Sequence, residues 1–105
     1  MLADISTIDD FLHQRSAQLL DNTFCVLSDE ELRARGLRYG VRIQGPVKGY
    51  FLETNIRPGF IITTLDNEPL VTLGQLKQAL ENRRGVMLSG IFEDGTHDHF
   101  FLPTR

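Results

Sequence analysis

The chain has 105 residues, of which 41% are hydrophobic and 24% charged, and its formal net charge is −3. This length and composition predict one globular domain rather than a disordered chain or several domains. The basic residues are dispersed, which argues against nucleic acid as a partner, and no apolar run is long enough to span a membrane. Cys25 is the single cysteine, so an internal disulfide and a cysteine-based zinc site are excluded.

Residues 1–22 are interpreted as a lead-in segment. Ser6 or Thr7 can cap a helix in this segment. The apolar residues of that helix share one face: Ile8, Phe11, Leu12 and Leu19. We expect the helix either to pack on the domain or to end a linker from a preceding domain.

The domain itself is expected at 23–105 and begins with a short strand at 23–27. Ser28 and Glu31 form a capping box that opens a helix at 29–35, and Gly36 ends this helix. A strand follows at about 38–44, because apolar residues alternate there with polar residues and glycine.

The second half of the chain continues the alternation of strands and turns. A short segment at 50–55 can form no more than one or two helical turns, and 60–65 has the apolar, β-branched content of a central strand. Asn67 is the best candidate for a left-handed conformation in the next turn. Thr72 and Gln75 form a capping box that opens an amphipathic helix, which is predicted at 73–82 and is stopped by Gly85.

A hairpin closes the chain. Asp94 and Gly95 lie in a turn between apolar runs, which predicts strands at 86–92 and about 97–102. The order of elements indicates an α+β fold, a small antiparallel sandwich or open barrel that is capped by two helices.

Several segments resemble PDZ domains. Arg38-Tyr39-Gly40-Val41 looks like the X-Φ-G-Φ carboxylate loop of this family, and 57–70 looks like its segment of glycine, strand and Asn-Gly-x-Pro turn. The helix at 73–82 is similar to the one that walls the peptide groove. The strand and short helix ahead of the loop, together with the closing hairpin, are most similar to the permuted second PDZ domain of HtrA/Do-like (DegP-type) secreted serine proteases. The resemblance covers about 23–102.

The resemblance implies a site for the C-terminus of a peptide. The amides of Tyr39, Gly40 and Val41 would receive the terminal carboxylate, with Arg38 assisting electrostatically. The peptide would add as a strand beside 41–44. The groove for its side chains is assigned to five residues: Ile43, Leu73, Leu76, Ala79 and Leu80. The alternative that these apolar side chains are simply core stays open.

The implied function is capture of hydrophobic C-terminal or extended peptides from misfolded proteins, or contact with neighbouring domains or subunits of a parent serine endopeptidase. By resemblance, the protein would be periplasmic or secreted. The chain itself carries no motif for a serine nucleophile on a strained turn, so no catalytic residue is assigned to it. No cofactor and no metal are expected.

Two other hypotheses stay open. In the first, the groove is occupied by the protein itself, and the domain serves oligomerisation or interdomain contact. The apolar face of the lead-in helix would then fill the groove or dock on a neighbour. In the second, His97 and His99 share one strand face near Asp94 and hold a metal ion, although no further ligand has fitting spacing.

Overall fold

A computed structural model describes residues 15–104 of the protein. Seven strands in this part form one sheet, in the order β1-β2-β3-β4-β6-β7 with β5 beside β4, and all paired strands are antiparallel. The strands are β1 (Ser16–Leu19), β2 (Asn22–Val26), β3 (Val41–Gln44), β4 (Ile61–Leu65), β5 (Glu68–Pro69), β6 (Gly85–Ile91) and β7 (His97–Pro103). The described part also contains the helices α1 (Asp29–Arg35) and α2 (Leu73–Asn82) and a 3-10 helix (Gly49–Glu53). The α+β class is confirmed.

Both helices begin and end through local chemistry. The Glu31 amide donates to the Ser28 hydroxyl over 3.1 Å, and Gly36 ends α1 with a φ of 68°. The predicted capping box of Thr72 and Gln75 opens α2. The predicted end of α2 is wrong in one detail, because Arg83 closes the helix with extended backbone and Gly85 already belongs to β6.

The sheet contains a glycine that the fold requires. The pairing of β4 with β6 shifts register between Ile62 and Thr64, and Gly90 lies opposite this irregularity. A Cβ at Gly90 would come within 1.8 Å of the Ile61 carbonyl oxygen. The two strands therefore approach so closely that only glycine fits here.

The core divides into two clusters. The larger one contains the buried side chains of α2 together with apolar residues of β2, β3, β4, β6 and β7. The smaller one combines Leu27, Ile61 and Ile91, against which Leu32 and Leu37 pack. Because Leu32 of α1 packs against the smaller cluster, while the buried side chains of α2 belong to the larger one, the two helices cover different parts of the sheet.

The end of the lead-in segment is a strand and not a helix. Leu19, which was placed on the helical face, lies in β1 and pairs with Asn22. The predicted boundary between residues 22 and 23 therefore cuts through the β1–β2 hairpin. The remainder of the predicted helix, at residues 1–14, lies outside the described residues.

Candidate functional site

Strand β3 has no open edge. On one side Val41 pairs with Val26, and on the other side it pairs with Ile62. The Ile43 amide donates to the Phe60 carbonyl over 3.0 Å, and the Ile43 carbonyl accepts from the Gly59 amide over 2.8 Å. The prediction that a peptide adds as a strand beside 41–44 is therefore wrong, because both sides of this strand are already hydrogen-bonded.

Gly40 allows other residues of the domain to approach its backbone closely. A Cβ at this residue would lie 2.9 Å from a methyl carbon of Ile61 and 3.3 Å from one of Leu27. The Gly40 carbonyl also accepts the Leu27 amide over 3.2 Å. The glycine thus brings β2, β3 and β4 together over the smaller cluster, and this packing explains it without a bound carboxylate.

Arg38 and Tyr39 lie at a different place from the predicted groove. They line a surface pocket of about 250 Å³ together with Thr63, Ile91 and His97. No residue of α2 lines this pocket, which adjoins the smaller cluster. Arg38 and Tyr39 therefore lie apart from the helix that was expected to complete their site, whereas Val41 packs with that helix in the larger cluster.

The predicted groove residues do come together, as core. They share the larger cluster with Val41, and none is more than 4% exposed: Ile43, Leu73, Leu76, Ala79 and Leu80. These residues are therefore core, as the alternative that the sequence left open states. Helix α2 nevertheless contacts both β1 and β2 at the edge of the sheet, and it also contacts β6.

Strand β1 occupies this edge. It pairs antiparallel with β2 from Ser16, opposite Cys25, to Leu19, opposite Asn22. Ala17 and Leu19 pack against the larger cluster, whereas Ser16 and Gln18 are exposed. We refer to the β2 edge that α2 flanks as the β2–α2 groove, and the chain's own β1 fills it.

The turn that returns the chain from β1 to β2 has an unusual composition. Leu20 has a φ of 50° and Asp21 a φ of 67°, as in a two-residue type I′ turn. Asparagine, aspartate and glycine favour this conformation, whereas left-handed backbone costs other residues roughly 1–2 kcal/mol each. Leu20 therefore stores strain in the turn.

Asn22 fastens the start of β2. Its side chain is 1% exposed. The carboxamide nitrogen donates to the carbonyls of Leu20, over 2.7 Å, and Lys48, over 3.0 Å, while its oxygen accepts the Lys48 amide over 2.8 Å. These bonds satisfy the buried amide and hold the turn against the loop before the 3-10 helix.

A charged cluster lies on α1, β3 and the β6–β7 turn. Arg42 binds both carboxylate oxygens of Glu31, one of them over 3.0 Å, and Arg35 Nε lies 3.4 Å from the same carboxylate. Glu93 lies 3.7 Å from Arg42 and 3.6 Å from Arg35. The hydrogen bonds from Arg42 are the main cause that lowers the pKa of Glu31, and the same pair raises the pKa of Arg42.

The histidines of β7 do not complete a metal site in the described part of the chain. His97 and His99 are both exposed. Within residues 15–104, no three histidine, cysteine or carboxylate side chains lie close enough together to hold a metal ion.

Sequence reasoning missed the residues that form the groove and its occupant. Ser16 to Leu19 alternate between polar and apolar, and Asp21-Asn22 follows them as a turn signal. This four-residue alternation is the signal that could have identified β1, but it is short, and the helical spacing of Ile8, Phe11 and Leu12 extends into it.

No helix among residues 15–104 is long and apolar enough to cross a membrane. Comparison with protein-family models, with curated proteins and with solved structures found no match to this chain.

Proposed function

We propose that this chain is an interaction module that binds an extended polypeptide strand in the groove between β2 and α2. The observation that carries the proposal is β1 itself, an extended segment that lies antiparallel on the β2 edge beside α2. The fold class and the order of segments also support a PDZ-like domain. The groove is self-occupied, and this favours the interdomain or oligomer-contact hypothesis over capture at 38–44.

The contacts of β1 indicate the chemistry of a ligand. Its backbone pairs with β2, which supplies hydrogen bonds that do not depend on sequence. Ala17 and Leu19 point towards the core, and Gln18 between them is exposed. A matching ligand is an extended segment with a small and a large apolar residue two positions apart.

The wider role rests on the resemblance. The order of segments supports a place beside a serine-protease domain of the HtrA/Do-like type, in the periplasm or outside the cell. The partners would then be extended segments of misfolded proteins, or of neighbouring domains and subunits. We propose no catalytic activity for the chain itself.

The test opens the groove in the full-length chain. In the Leu19→Asp variant a charge replaces an apolar side chain that packs on the core, so β1 should leave the β2 edge. A fluorescently labelled peptide with the sequence of residues 15–20 should then bind at least about tenfold more tightly than it binds the unaltered chain, because it no longer competes with β1.

Gln18→Asp is the matched control, since it places the same charge on the exposed side of the same strand. It should leave peptide affinity unchanged, and a peptide that carries the Leu19→Asp change should not bind to any of the three chains. Equal affinity of the labelled peptide for all three chains would contradict the proposal.

A further inference from the structure

We propose that β1 is exchanged between two copies of this chain, so that the β1 strand of each copy fills the β2–α2 groove of the other. The inference rests on the proposed function, because it takes this groove as the docking site. It adds the partner, which is a second copy, and the mode of assembly, which is a reciprocal exchange of one strand.

The hinge for such an exchange is the turn at Leu20 and Asp21. A second two-residue turn with similar positive φ values joins β4 to β5, where it is formed by Asp66 and Asn67. Both of those residues tolerate left-handed backbone through their short polar side chains. Leu20 is the one large apolar residue with positive φ within residues 15–104. Extending residues 20 and 21 relieves this strain, and strained short hinges favour exchange.

Strand β1 makes the same contacts whether it comes from the same chain or from a second copy. Beyond the four strand pairs, the Arg15 carbonyl accepts the Val26 amide over 2.7 Å, and the Arg15 guanidinium donates to the Leu27 carbonyl over 3.1 Å. All these bonds join residues before the hinge to residues after it. An exchanged dimer therefore re-forms every one of them between chains.

Asn22 confines the opening to the hinge. Its two hydrogen bonds with Lys48 join residues that both follow the hinge, so they stay within one chain. The bond from Asn22 to the Leu20 carbonyl, over 2.7 Å, is the one side-chain contact in this set that extension of the turn breaks. The start of β2 thus keeps its place while residues 20 and 21 extend.

A second copy is favoured over an unrelated ligand because it carries the segment whose register and packing the groove already accommodates. It also gains relief of strain at two hinges, whereas a separate peptide leaves the chain's own β1 displaced without a partner. Exchange depends on protein concentration, because two chains combine into one dimer.

The first experiment measures the oligomeric state of the full chain by gel filtration with light scattering over a wide concentration range. The unaltered chain should form a dimer whose fraction rises with concentration. The Leu20→Asn/Asp21→Gly double variant, whose turn residues favour positive φ, should stay closed. We expect about a hundredfold increase in its dimer dissociation constant, roughly tenfold for each hinge.

The second experiment uses the single cysteine to tell which chain supplies β1. Cys25 lies directly opposite Ser16 in the β1–β2 register and is not in a disulfide. In the Ser16→Cys variant, oxidation should link the two positions within one chain in the monomer and between chains in the dimer. The isolated dimer fraction should therefore run as a covalent dimer on a non-reducing denaturing gel. The unaltered chain, oxidised alongside, gives the background from Cys25 alone.

A chain that stays monomeric at every concentration overturns the exchange, as does a dimer whose oxidised Ser16→Cys chains separate into monomers. A dimer that the double variant leaves unchanged overturns it as well. Each of these results leaves peptide binding by the Leu19→Asp variant untouched, so failure of the exchange is distinct from failure of the proposed function.

Discussion

At the scale of single residues, Glu31 has two separate tasks. Its amide donates to the Ser28 hydroxyl in the first turn of α1, and its carboxylate binds Arg42 on β3. The amide contact follows from local sequence and is one half of the predicted capping box; the other half is wrong, because the Glu31 carboxylate binds Arg42 and Arg35 instead of reaching back to the start of the helix. The contact with Arg42 joins residues eleven positions apart and depends on how α1 lies over the sheet, so no local pattern could show it.

The lowered pKa of Glu31 predicts how stability depends on pH. Arg42 hydrogen bonds favour the ionised carboxylate, so the folded state binds the proton less tightly than the unfolded chain does. The contribution is present above the ordinary pKa near 4.5 and is lost as the pH falls through the lowered value. We expect Glu31→Gln to lower the Tm at neutral pH, and the difference from the unaltered chain to shrink on acidification below about pH 4.5.

Glu30→Gln is the control, because Glu30 is exposed on the same helix. It should leave the Tm nearly unchanged across the range in thermal melts followed by circular dichroism. A difference between Glu31→Gln and the unaltered chain that stays constant from neutral to acidic pH would contradict the assignment.

Single residues also show why the predicted site was misplaced. The alternation of Val41 and Ile43 correctly identified a strand with a buried face, but the strand begins at Val41 and not at about 38, so Tyr39 lies ahead of it. An alternation indicates which side chains are buried, but it does not indicate which strands pair with the backbone. The pairing of β3 on both sides depends on residues 22–26 and 59–62, which lie far away along the chain.

At the scale of elements, α2 was predicted with its observed bounds because its signals are local. A capping box fixes its first turn, and the apolar spacing fixes its buried side. What the spacing could not decide was whether Leu76 and Leu80 line an open groove or a closed core. That depends on β1, which covers the edge of the sheet beside the helix.

The core position of α2 gives a prediction that a groove position would not. Leu76 is 0% exposed, so Leu76→Ala should cost about 2–5 kcal/mol in the free energy of unfolding. For a domain of this size that is a fall in Tm of roughly 10 °C or more. Denaturant titration of the full chain measures it.

Gln78→Ala is the companion change, on the exposed side of the same helix. It should stay within roughly 0.5 kcal/mol of the unaltered chain. If Leu76→Ala were as mild as Gln78→Ala, Leu76 would not be packed in the core.

At the scale of the whole molecule, backbone pairing and burial decrease from the centre of the sheet to its β1 edge. Strand β4 pairs with β3 and β6 along its two sides and contributes to both clusters, whereas β1 pairs on one side and is half-buried. A strained turn joins this weakly held strand to the rest. We therefore expect β1 to open while the remainder of the described domain stays folded.

Amide hydrogen exchange should measure this difference between β1 and β4. We expect amides of β1 to exchange roughly a hundredfold or more faster than those of Ile61 and Ile62 in β4, since opening of the hairpin requires less free energy than global unfolding. The Leu20→Asn/Asp21→Gly variant should slow exchange in β1 and leave β4 unchanged. Uniform protection across β1 and β4 would mean that the hairpin opens only when the whole domain unfolds.

The position of β1 also bears on the tendency of the chain to aggregate. When β1 leaves, β2 presents a row of unpaired backbone groups, and its last three residues, Phe24-Cys25-Val26, are apolar. Bare strands of this kind are templates for uncontrolled stacking of chains. A tether of only two residues keeps a complementary strand within immediate reach, so recapture competes with stacking. The same short turn that stores strain therefore also limits aggregation through the exposed β2 edge.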